Sequence, residues 1–419
     1  CLSAFIQYQS VFYLQKKEYF CRNLSVIILN QKYRSKHKNL SNVKLNSATL
    51  KLDIMIKVTD IQDTQSSSNP IIREMSDMGH EQVVFCQDEE TGLKAIIAIH
   101  STALGPALGG TRMWDYKNEL EALNDVLRLS RGMTFKASIS GLNLGGGKAV
   151  IFGDAKTQKT DALMRRFGKF VETLGGNYIT AEDVGMTTHD MEMVRLETKH
   201  VTGIPKSMGG SGDPSPVTAY GVYMGMKASA MYKWGTDSLE GKKVVVQGIG
   251  NVGINLVKHL TEEGALVTIN DISKERLEMV AAKYGATIVE GDDIYDVDMD
   301  IYAPCALGAS LNDNTLSRLK CSIIAGAANN QLADEVKHGQ MVMDMGMIYA
   351  PDFLINAGGL INVYSELQGY NRDEAIAKTE EIYHTTLEIL KKSELEGITP
   401  HEAAKQIAQS RVRKALAKS

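Results

Sequence analysis

A short apolar strand that runs directly into a Gly-x-Gly-x-x-Gly turn constrains the fold of this chain more than any other feature. The strand is Lys243–Gln247, a helix is predicted over 254–260, and a second strand over 265–270. In such a unit the first glycine permits a tight turn, the second lets the backbone approach a pyrophosphate, and the third allows close packing of helix on strand. The segment predicts a Rossmann-type dinucleotide-binding domain. The alternative is a glycine-rich turn in an α/β fold that binds no ligand.

The residue that closes the second strand indicates which dinucleotide is bound. Asp271 stands 23 residues after Gly248, where a carboxylate can accept both hydroxyls of a ribose and repels a 2′-phosphate. We therefore predict NAD as the cofactor, although Asp271 and Asn270 alone do not exclude some use of NADP. The cofactor-binding residues predicted from this segment are Gly248, Ile249, Gly250, Asn251, Val252, Gly253 and Asp271.

Strands and helices alternate along most of the chain, and a length of 419 residues favours two domains over one. Two strands predicted over 82–86 and 93–100 flank an acidic turn, and a second alternating series starts near Pro214. This alternation indicates an α/β fold with a mostly parallel sheet covered by helices. Residues after Asn371 are predicted to be mainly helical.

The first 54 residues differ in composition from the rest. They hold nine Lys or Arg against two acidic residues, and the chain has no methionine before Met55 and no glycine before Gly79. We interpret 1–54 as translated sequence upstream of a true start at Met55. A targeting leader is the alternative, which the scarcity of arginine disfavours. Together with the polar stretch 56–70, residues 1–70 are expected to be a non-native or disordered leader.

Charge and cysteine usage exclude several classes of partner. The chain has 46 Lys and Arg against 50 Asp and Glu, so no polybasic field favours nucleic acid or anionic lipid. No apolar run approaches the roughly 20 residues of a membrane-spanning helix. The five cysteines lack Cys-x-x-Cys spacing, so neither a disulfide framework nor a metal site is predicted. We expect a small-molecule partner, no membrane partner, and a reducing, cytoplasmic compartment.

Two glycine runs and two lysines fall within the segments 105–113, 132–136 and 142–148. Three consecutive glycines fill no core, so we expect a ligand to approach the main chain there. Lys148 opens an apolar strand, where partial desolvation would lower its pKa and make it a usable proton acceptor. A lysine that extends to solvent is the alternative for Lys148. Lys136 and Asp183 have similar alternatives, a solvated cation and a helix cap.

These segments occur in an order that is typical of one enzyme family. From about Glu81 to its end, the chain resembles the glutamate, leucine, phenylalanine and valine dehydrogenases, and most of all the leucine-specific branch. The resemblance implies two α/β domains separated by a cleft, assembled as a homo-oligomer, often an octamer. The substrate domain is expected at 71–204, rejoined by helices at about 395–419, and the Rossmann-type NAD-binding domain at 205–394. The shared segments are 105–113, 144–148, 180–185, 214–216, 303–308 and 356–359.

The resemblance also implies a reaction, the reversible oxidative deamination in which an L-amino acid, NAD and water give a 2-oxo acid, ammonia and NADH. By this resemblance Lys136 holds the substrate carboxylate, Lys148 is the general base, and Asp183 exchanges protons with the amino group. Backbone groups around Gly110 and Gly146 would stabilise an oxyanion. Four further residues match positions near the nicotinamide, the cofactor or the substrate amine: Thr218, Cys305, Ala306 and Asn330.

One position indicates which amino acid is used. Glutamate dehydrogenases carry a lysine where this chain has Leu108, and an ionised carboxylate is costly to bury beside leucine. The other residues of the predicted side-chain pocket are small or apolar: Gly109, Gly110, Met133, Ala181, Leu360 and Val363. They favour branched aliphatic substrates, leucine together with valine and isoleucine. Leu360 stands where leucine enzymes commonly have valine. The alternatives are an enzyme that prefers valine or phenylalanine, and a non-catalytic NAD-binding oligomer.

Overall fold

The computed structural model of this protein describes residues 70–418. The expectations for the leader and for a start at Met55 lie outside the described residues. Both sheets formed by these residues belong to one unit that begins at Ile71. Among the described residues, none of the helices combines the length and the apolar character that crossing a membrane would require.

The amino-terminal part is built on a five-stranded mixed sheet with the order β1-β2-β4-β3-β5. Its strands are β1 Gln82–Asp88, β2 Leu93–Ser101, β3 Ala107–Trp114, β4 Gly145–Phe152 and β5 Tyr178–Glu182. Strand β2 pairs antiparallel with β1 and β4, whereas β3 runs parallel to β4 and β5. The expectation of a mostly parallel sheet is wrong here: the short turn after Asp88 makes β1 and β2 antiparallel neighbours, and β2 also pairs antiparallel with β4.

Four helices accompany this sheet: α1 Pro70–Met78, α2 Glu119–Ile139, α3 Asp161–Glu172 and α4 Thr188–Arg195. Helix α2 begins after Asn118, whose side chain accepts a hydrogen bond from a backbone N–H of the first turn. The buried side chains of Leu123 and Leu127 on α2 belong to the same apolar cluster as Val150 of β4. This packing holds α2 against the strand that carries Lys148.

The carboxy-terminal part is built on a six-stranded sheet with the order β11-β10-β9-β6-β7-β8, in which every pairing is parallel. Its strands are β6 Lys243–Gln247, β7 Leu266–Asn270, β8 Thr287–Ile288, β9 Ile301–Pro304, β10 Ile323–Ile324 and β11 Ile348–Tyr349. Counted from β6, this is the strand order 3-2-1-4-5-6 of doubly wound dinucleotide-binding folds. The predicted α/β fold with a Rossmann-type domain is confirmed.

The remaining helices are α5 Ser215–Trp234, α6 Asn251–Glu262, α7 Lys274–Tyr284, α8 Asp313–Leu316, α9 Lys337–Asp344, α10 Asp352–Ile355, α11 Gly358–Glu366, α12 Arg372–Glu396 and α13 Pro400–Leu416, with 3-10 turns at Lys206–Met208 and Gly291–Tyr295. Helix α13 returns to the amino-terminal part. Ser138 Oγ donates to the carbonyl of Ala408 at 2.7 Å, and Arg411 Nη1 donates to the carbonyl of Leu142 at 2.6 Å. The domain boundaries themselves stay a prediction.

Candidate active site

A cavity of about 370 Å³ lies between elements of the two sheets. One wall comes from β3, α2 and β4 and from the loop after β5, and the other from the segment 329–332 and from residues 349–353. Six residues that the sequence analysis singled out meet at this cavity: Gly110, Met133, Lys136, Lys148, Asp183 and Asn330. The three predicted catalytic residues, Lys136, Lys148 and Asp183, therefore lie at one cavity.

Lys148 lies in β4, an internal strand of the first sheet. Its side chain is 7% exposed, and its Nζ lies 2.8 Å from Asp183 Oδ2. Burial lowers the pKa of Lys148 below its usual value, while the negative charge of Asp183 opposes that shift. The alternative of a lysine extending to solvent is wrong, because the strand is covered on both sides.

Asp183 follows β5 by one residue, and the same oxygen that contacts Lys148 also accepts a hydrogen bond from Arg112 Nε at 3.0 Å. Burial alone would raise the pKa of the Asp183 carboxyl, but the two cations outweigh burial and lower it. Asp183 is therefore ionised at neutral pH. The helix-cap alternative is wrong, because Thr187 and Asp190 form the capping box of α4.

Lys136 lies in the last turn of α2 and points its charge at the same cavity. Burial lowers the pKa of Lys136 to about 8; Asp352 opposes this shift, and the nearby Lys148 adds to it. The side chain is half-buried, so the alternative of a freely solvated cation is also wrong. A lysine at the cavity wall is suited to bind an anionic group of a ligand.

The run Gly145 to Gly147 has a different cause from the one expected. A Cβ on Gly146 would lie 2.1 Å from the backbone nitrogen of Thr134, and one on Gly145 would lie 1.9 Å from the carbonyl of Ser101. These glycines are thus required by close packing of α2 and β2 against β4. None of these glycines lines the cavity, so a ligand near this main chain and an oxyanion site at Gly146 stay predictions that these contacts do not support.

The residues predicted to form the side-chain pocket do not line this cavity, with the exceptions of Gly110 and Met133. Leu108, Leu360 and Val363 are 2%, 6% and 9% exposed and belong to one buried apolar cluster. Gly109 and Ala181 are buried in the paired strands β3 and β5, where Gly109 is opposite Thr180 and Ala181 is opposite Gly110. The structure therefore places these residues in the core beside the cavity.

The three glycines after β6 have three different environments. Gly248 has a φ of +97°, which favours glycine, and a Cβ on Gly253 would lie 2.1 Å from the carbonyl oxygen of Gly248. At Gly250 a Cβ would meet nothing within 4 Å. The open space over Gly250, next to the amino end of α6, fits the pyrophosphate of a dinucleotide.

The carboxylate of Asp271 lies beside this turn at the end of β7. Its Oδ2 accepts a hydrogen bond from the N–H of Ile249 at 2.7 Å, and its Oδ1 accepts one from Ser273 N at 2.9 Å. Arg276 Nη1 lies 3.7 Å from Oδ2. The carboxylate is therefore oriented by the backbone of the turn, as a ribose-binding group requires.

The other predicted cofactor residues lie at different places. Ala306 contacts Gly248, since a Cβ added to that glycine would lie 2.7 Å from the Ala306 side chain, and Cys305 directly precedes Ala306. The N–H of Ala327 donates to Cys305 Sγ at 3.4 Å. Thr218 lies in α5, where its Oγ1 donates to the carbonyl of Pro214 at 3.0 Å. Asn251 begins α6, and Val252 follows it.

Sequence reasoning missed several charged residues of the cavity, among them Arg112 and Asp352. Arg112 is part of the segment 105–113, and its position two residues after Gly110 in a strand was a usable signal, because such residues share one face of the sheet. Asp352 carried no comparable signal. Within residues 70–418, no group of three or more His, Cys, Asp or Glu side chains is arranged to hold a metal ion.

Comparison with known proteins covers both parts of the chain. The family models described as "Glu/Leu/Phe/Val dehydrogenase, dimerisation domain" and "Glutamate/Leucine/Phenylalanine/Valine dehydrogenase" match residues 80–200 and 209–419. Leucine dehydrogenase of Bacillus subtilis (strain 168) is 55% identical over 342 residues, 82% of this chain and 94% of that protein. Phenylalanine dehydrogenase of Lysinibacillus sphaericus is 48% identical over 338 residues, 80% of this chain and 88% of that protein.

A solved structure extends this likeness to three dimensions. The crystal structure of L-tryptophan dehydrogenase from Nostoc punctiforme matches with a TM-score of 0.75 and 46% identity, covering 83% of this chain and 100% of that one. The dimerisation domain supports assembly into oligomers, and the dehydrogenase domain supports a nicotinamide cofactor. The chain therefore belongs to the glutamate, leucine, phenylalanine and valine dehydrogenase family of amino acid oxidoreductases, which act on a CH–NH2 group.

Proposed function

We propose that this protein catalyses the reversible, NAD-dependent oxidative deamination of branched-chain L-amino acids, with leucine preferred and valine and isoleucine also used. An L-amino acid, NAD⁺ and water give a 2-oxo acid, ammonium, NADH and a proton. The observation that carries the proposal is the buried contact of 2.8 Å between Lys148 Nζ and Asp183 Oδ2 at the cavity wall. A desolvated lysine beside a carboxylate is suited to general acid–base chemistry.

In this proposal, Lys136 binds the carboxylate of the amino acid and thereby orients its Cα in the cavity. The bound nicotinamide supplies hydride acceptance. Lys148, with its pKa lowered by burial, takes a proton from the water that adds to the substrate imine. Asp183, ionised at neutral pH, exchanges a proton with the substrate nitrogen as ammonia leaves. Asn330 is assigned to the substrate amine and Thr218 to the cofactor side of the cleft.

NAD is proposed as the cofactor because Asp271 places a negative charge where a 2′-phosphate would lie. Its orientation by the N–H of Ile249 supports this assignment. Arg276 lies 3.7 Å from the same carboxylate, and its positive charge partly offsets the repulsion of a phosphate. We therefore expect a preference for NAD together with measurable use of NADP.

The choice of substrate is supported by sequence identity and by the burial of Leu108. Identity is higher with a leucine dehydrogenase, 55%, than with a phenylalanine dehydrogenase, 48%. Because the apolar Leu108 stands where glutamate dehydrogenases carry a lysine, the cavity gains no cation from that position, and leaving the distal carboxylate of glutamate without that partner would cost several kcal/mol, roughly a hundredfold or more in kcat/KM. An enzyme that prefers aromatic amino acids is the second candidate, favoured by the aromatic walls that Phe135 and Phe353 give the cavity.

We also propose a domain assignment, an oligomeric state and a cellular compartment. We propose that residues 71–204 with 395–419 form the substrate domain, that 205–394 form the cofactor domain, and that eight copies assemble. The contacts of α13 with Ser138 and Leu142 support the first assignment. Among the described residues the cysteines, Cys86, Cys305 and Cys321, are free thiols, which supports a reducing, cytoplasmic compartment.

The test is a panel of L-amino acids with NAD⁺ or NADP⁺, followed by the absorbance of the reduced nicotinamide. We expect leucine, isoleucine and valine to exceed phenylalanine and tryptophan, and glutamate to be nearly inactive. Lys148→Ala should lose turnover and keep NADH binding. Lys94→Ala is the matched control, since Lys94 is an exposed lysine on the neighbouring strand β2. Full turnover by Lys148→Ala would overturn the assigned base, and an aromatic preference would favour the second candidate.

A further inference from the structure

We infer that Arg112 and Asp125 form a positioning pair that holds Asp183 and thereby controls the protonation of Lys148. The inference rests on the proposed function, in which Lys148 is the base. Neither residue was assigned a role above, and neither needs to contact the reacting atoms. One carboxylate oxygen of Asp183 contacts both Lys148 and Arg112.

That oxygen is Asp183 Oδ2. It lies 2.8 Å from Lys148 Nζ and 3.0 Å from Arg112 Nε. Within residues 70–418, Asp183 Oδ1 accepts no hydrogen bond from another residue. The two cations thus fix the rotation of the carboxylate and leave Oδ1 available to the substrate nitrogen. Without Arg112, the carboxylate would be held by Lys148 alone and could rotate about that contact.

Arg112 is itself held from the other side. Its Nη1 lies 2.8 Å from Asp125 Oδ2, an oxygen that also accepts a hydrogen bond from the hydroxyl of Tyr116 at 2.8 Å. Arg128, which is 53% exposed, donates to Asp125 Oδ1 at 3.0 Å. Because the guanidinium is anchored at two atoms, its plane is fixed. A chain of alternating charges therefore runs from Lys148 through Asp183, Arg112 and Asp125 towards solvent.

The charged groups that face Lys148 either raise or lower its pKa. Asp183 and Asp125 favour the ammonium form, whereas Arg112 and the neighbouring Lys136 on α2 disfavour it. Asp352 acts from the opposite wall, on Lys136. Removing Arg112 should therefore raise the pKa of Lys148, and removing Asp125 should lower it. Neutralising Arg112 and neutralising Asp125 are therefore expected to shift the pKa of Lys148 in opposite directions, although the two residues form one ion pair.

A purely structural role does not predict this opposition. Loss of a scaffold contact would lower kcat or stability in both variants and leave the pH profile in place. A unit charge at about 5 Å, with an effective dielectric constant near 20, shifts a pKa by about two units, and the partial exposure of Arg112 reduces this to about one. Asp125 is farther along the chain of charges, so about half a unit is expected for it.

The experiment is the pH dependence of kcat/KM for L-leucine with NAD⁺ in the wild type, Arg112→Gln and Asp125→Asn. The acid limb should move up by about one pH unit in Arg112→Gln and down by about half a unit in Asp125→Asn. Arg166→Gln and Asp88→Asn are the matched controls, because Arg166 Nε and Asp88 Oδ1 form a 2.8 Å pair of the same type outside the cavity. The acid limb of the pH profile should not move in either control variant.

A second readout keeps the inference separate from the proposed function. The pH dependence of acetylation of Lys148 by acetic anhydride, followed by peptide mass spectrometry, reports its protonation without turnover and should show the same opposite shifts. If the enzyme is active and the acid limb does not move in Arg112→Gln and Asp125→Asn, or moves in the same direction in both, the inference is overturned and the proposed function stands. A wild type inactive on the whole panel overturns the proposed function, and acetylation then decides the inference. If Arg112→Gln does not fold, Asp125→Asn decides it alone.

Discussion

Replacing Gly250 by alanine should weaken NADH binding and leave the stability of the protein unchanged. A Cβ at this position meets nothing within 4 Å, and the backbone has φ −72° and ψ −170°, an extended conformation that alanine adopts freely. Gly250 is the N-cap of α6, where alanine is less favourable than glycine, but alanine also loses less backbone entropy on folding in a conformation that it adopts freely. Because these two effects oppose each other, we expect the free energy of unfolding to stay within about 1 kcal/mol of the wild type.

The effect on the cofactor follows from the same open space. The added methyl group would occupy the path of the pyrophosphate and push it away from the N–H groups that begin α6. Loss of one hydrogen bond to a charged group costs about 1.5–3 kcal/mol, which corresponds to roughly 10- to 100-fold weaker binding. NADH affinity should fall by this factor in Gly250→Ala.

Gly253→Ala is the matched comparison within the same turn. Its Cβ would lie 2.1 Å from the carbonyl oxygen of Gly248, a backbone atom that cannot move without distorting the turn. Overpacking of this kind costs about 1–3 kcal/mol. This variant should lose thermal stability even without cofactor, in contrast to Gly250→Ala.

Two measurements on the cofactor-free protein separate these outcomes: calorimetric thermal unfolding, and titration with NADH followed by its fluorescence. Wild-type NADH affinity in Gly250→Ala would mean that the pyrophosphate does not pass over Gly250. Equal losses of thermal stability in Gly250→Ala and Gly253→Ala would show that the space over Gly250 is not open. Either result would refute the reasoning.

The other predictions concern titration. Burial lowers the pKa values of His80 and His100 to about 4, so the stability that these neutral side chains contribute is complete above pH 6.5 and is lost as pH falls towards 4. Each shift corresponds to about 3 kcal/mol, and the partial exposure of both rings roughly halves it, so urea unfolding should show a loss of roughly 3 kcal/mol for the pair over that window, absent from the double glutamine variant. Burial raises the pKa of Cys305 to about 12, so iodoacetamide should leave it unmodified at pH 7.5, as peptide mapping would show. Because the pKa of Lys136 is about 8, binding of a 2-oxo acid should weaken as pH rises through 8; calorimetric affinities constant between pH 7 and 9 would exclude its assigned role.

The parts of the fold that could be predicted from the sequence are those with local causes. The strand Lys243–Gln247 has the predicted bounds, because three consecutive valines followed by a glycine turn determine it without help from distant residues. The antiparallel pairing of β2 with β4 could not be predicted in this way. Residues 93–101 and 145–152 are far apart in the chain, and α2 lies between them in sequence. Their pairing depends on the packing of α2 against both strands.

In the candidate site, too, features with local causes can be predicted from the sequence and features that depend on long-range packing cannot. Lys148 and Asp183 can be identified from their segments, whereas the contacts that require the glycines before Lys148 cannot, because Thr134 and Ser101 lie on other elements. Arg112 resembles an ordinary strand arginine until α2 brings Asp125 to within 2.8 Å. Sequence patterns indicate which side chains can do chemistry, while long-range packing determines which of them are held in place.

The two lysines of the cavity differ in a way that only the packing explains. Lys148 is fixed in an internal strand, where the loop after β5 brings Asp183 to 2.8 Å and supplies a permanent counter-charge. Lys136 lies at the end of a helix, and among residues 70–418 no carboxylate comes within ion-pair distance of it, since Asp352 acts on it only from farther away. A cation that is desolvated but unpaired gains most from an anionic ligand. The fold thus supplies the partner of one lysine and leaves the partner of the other to the substrate carboxylate.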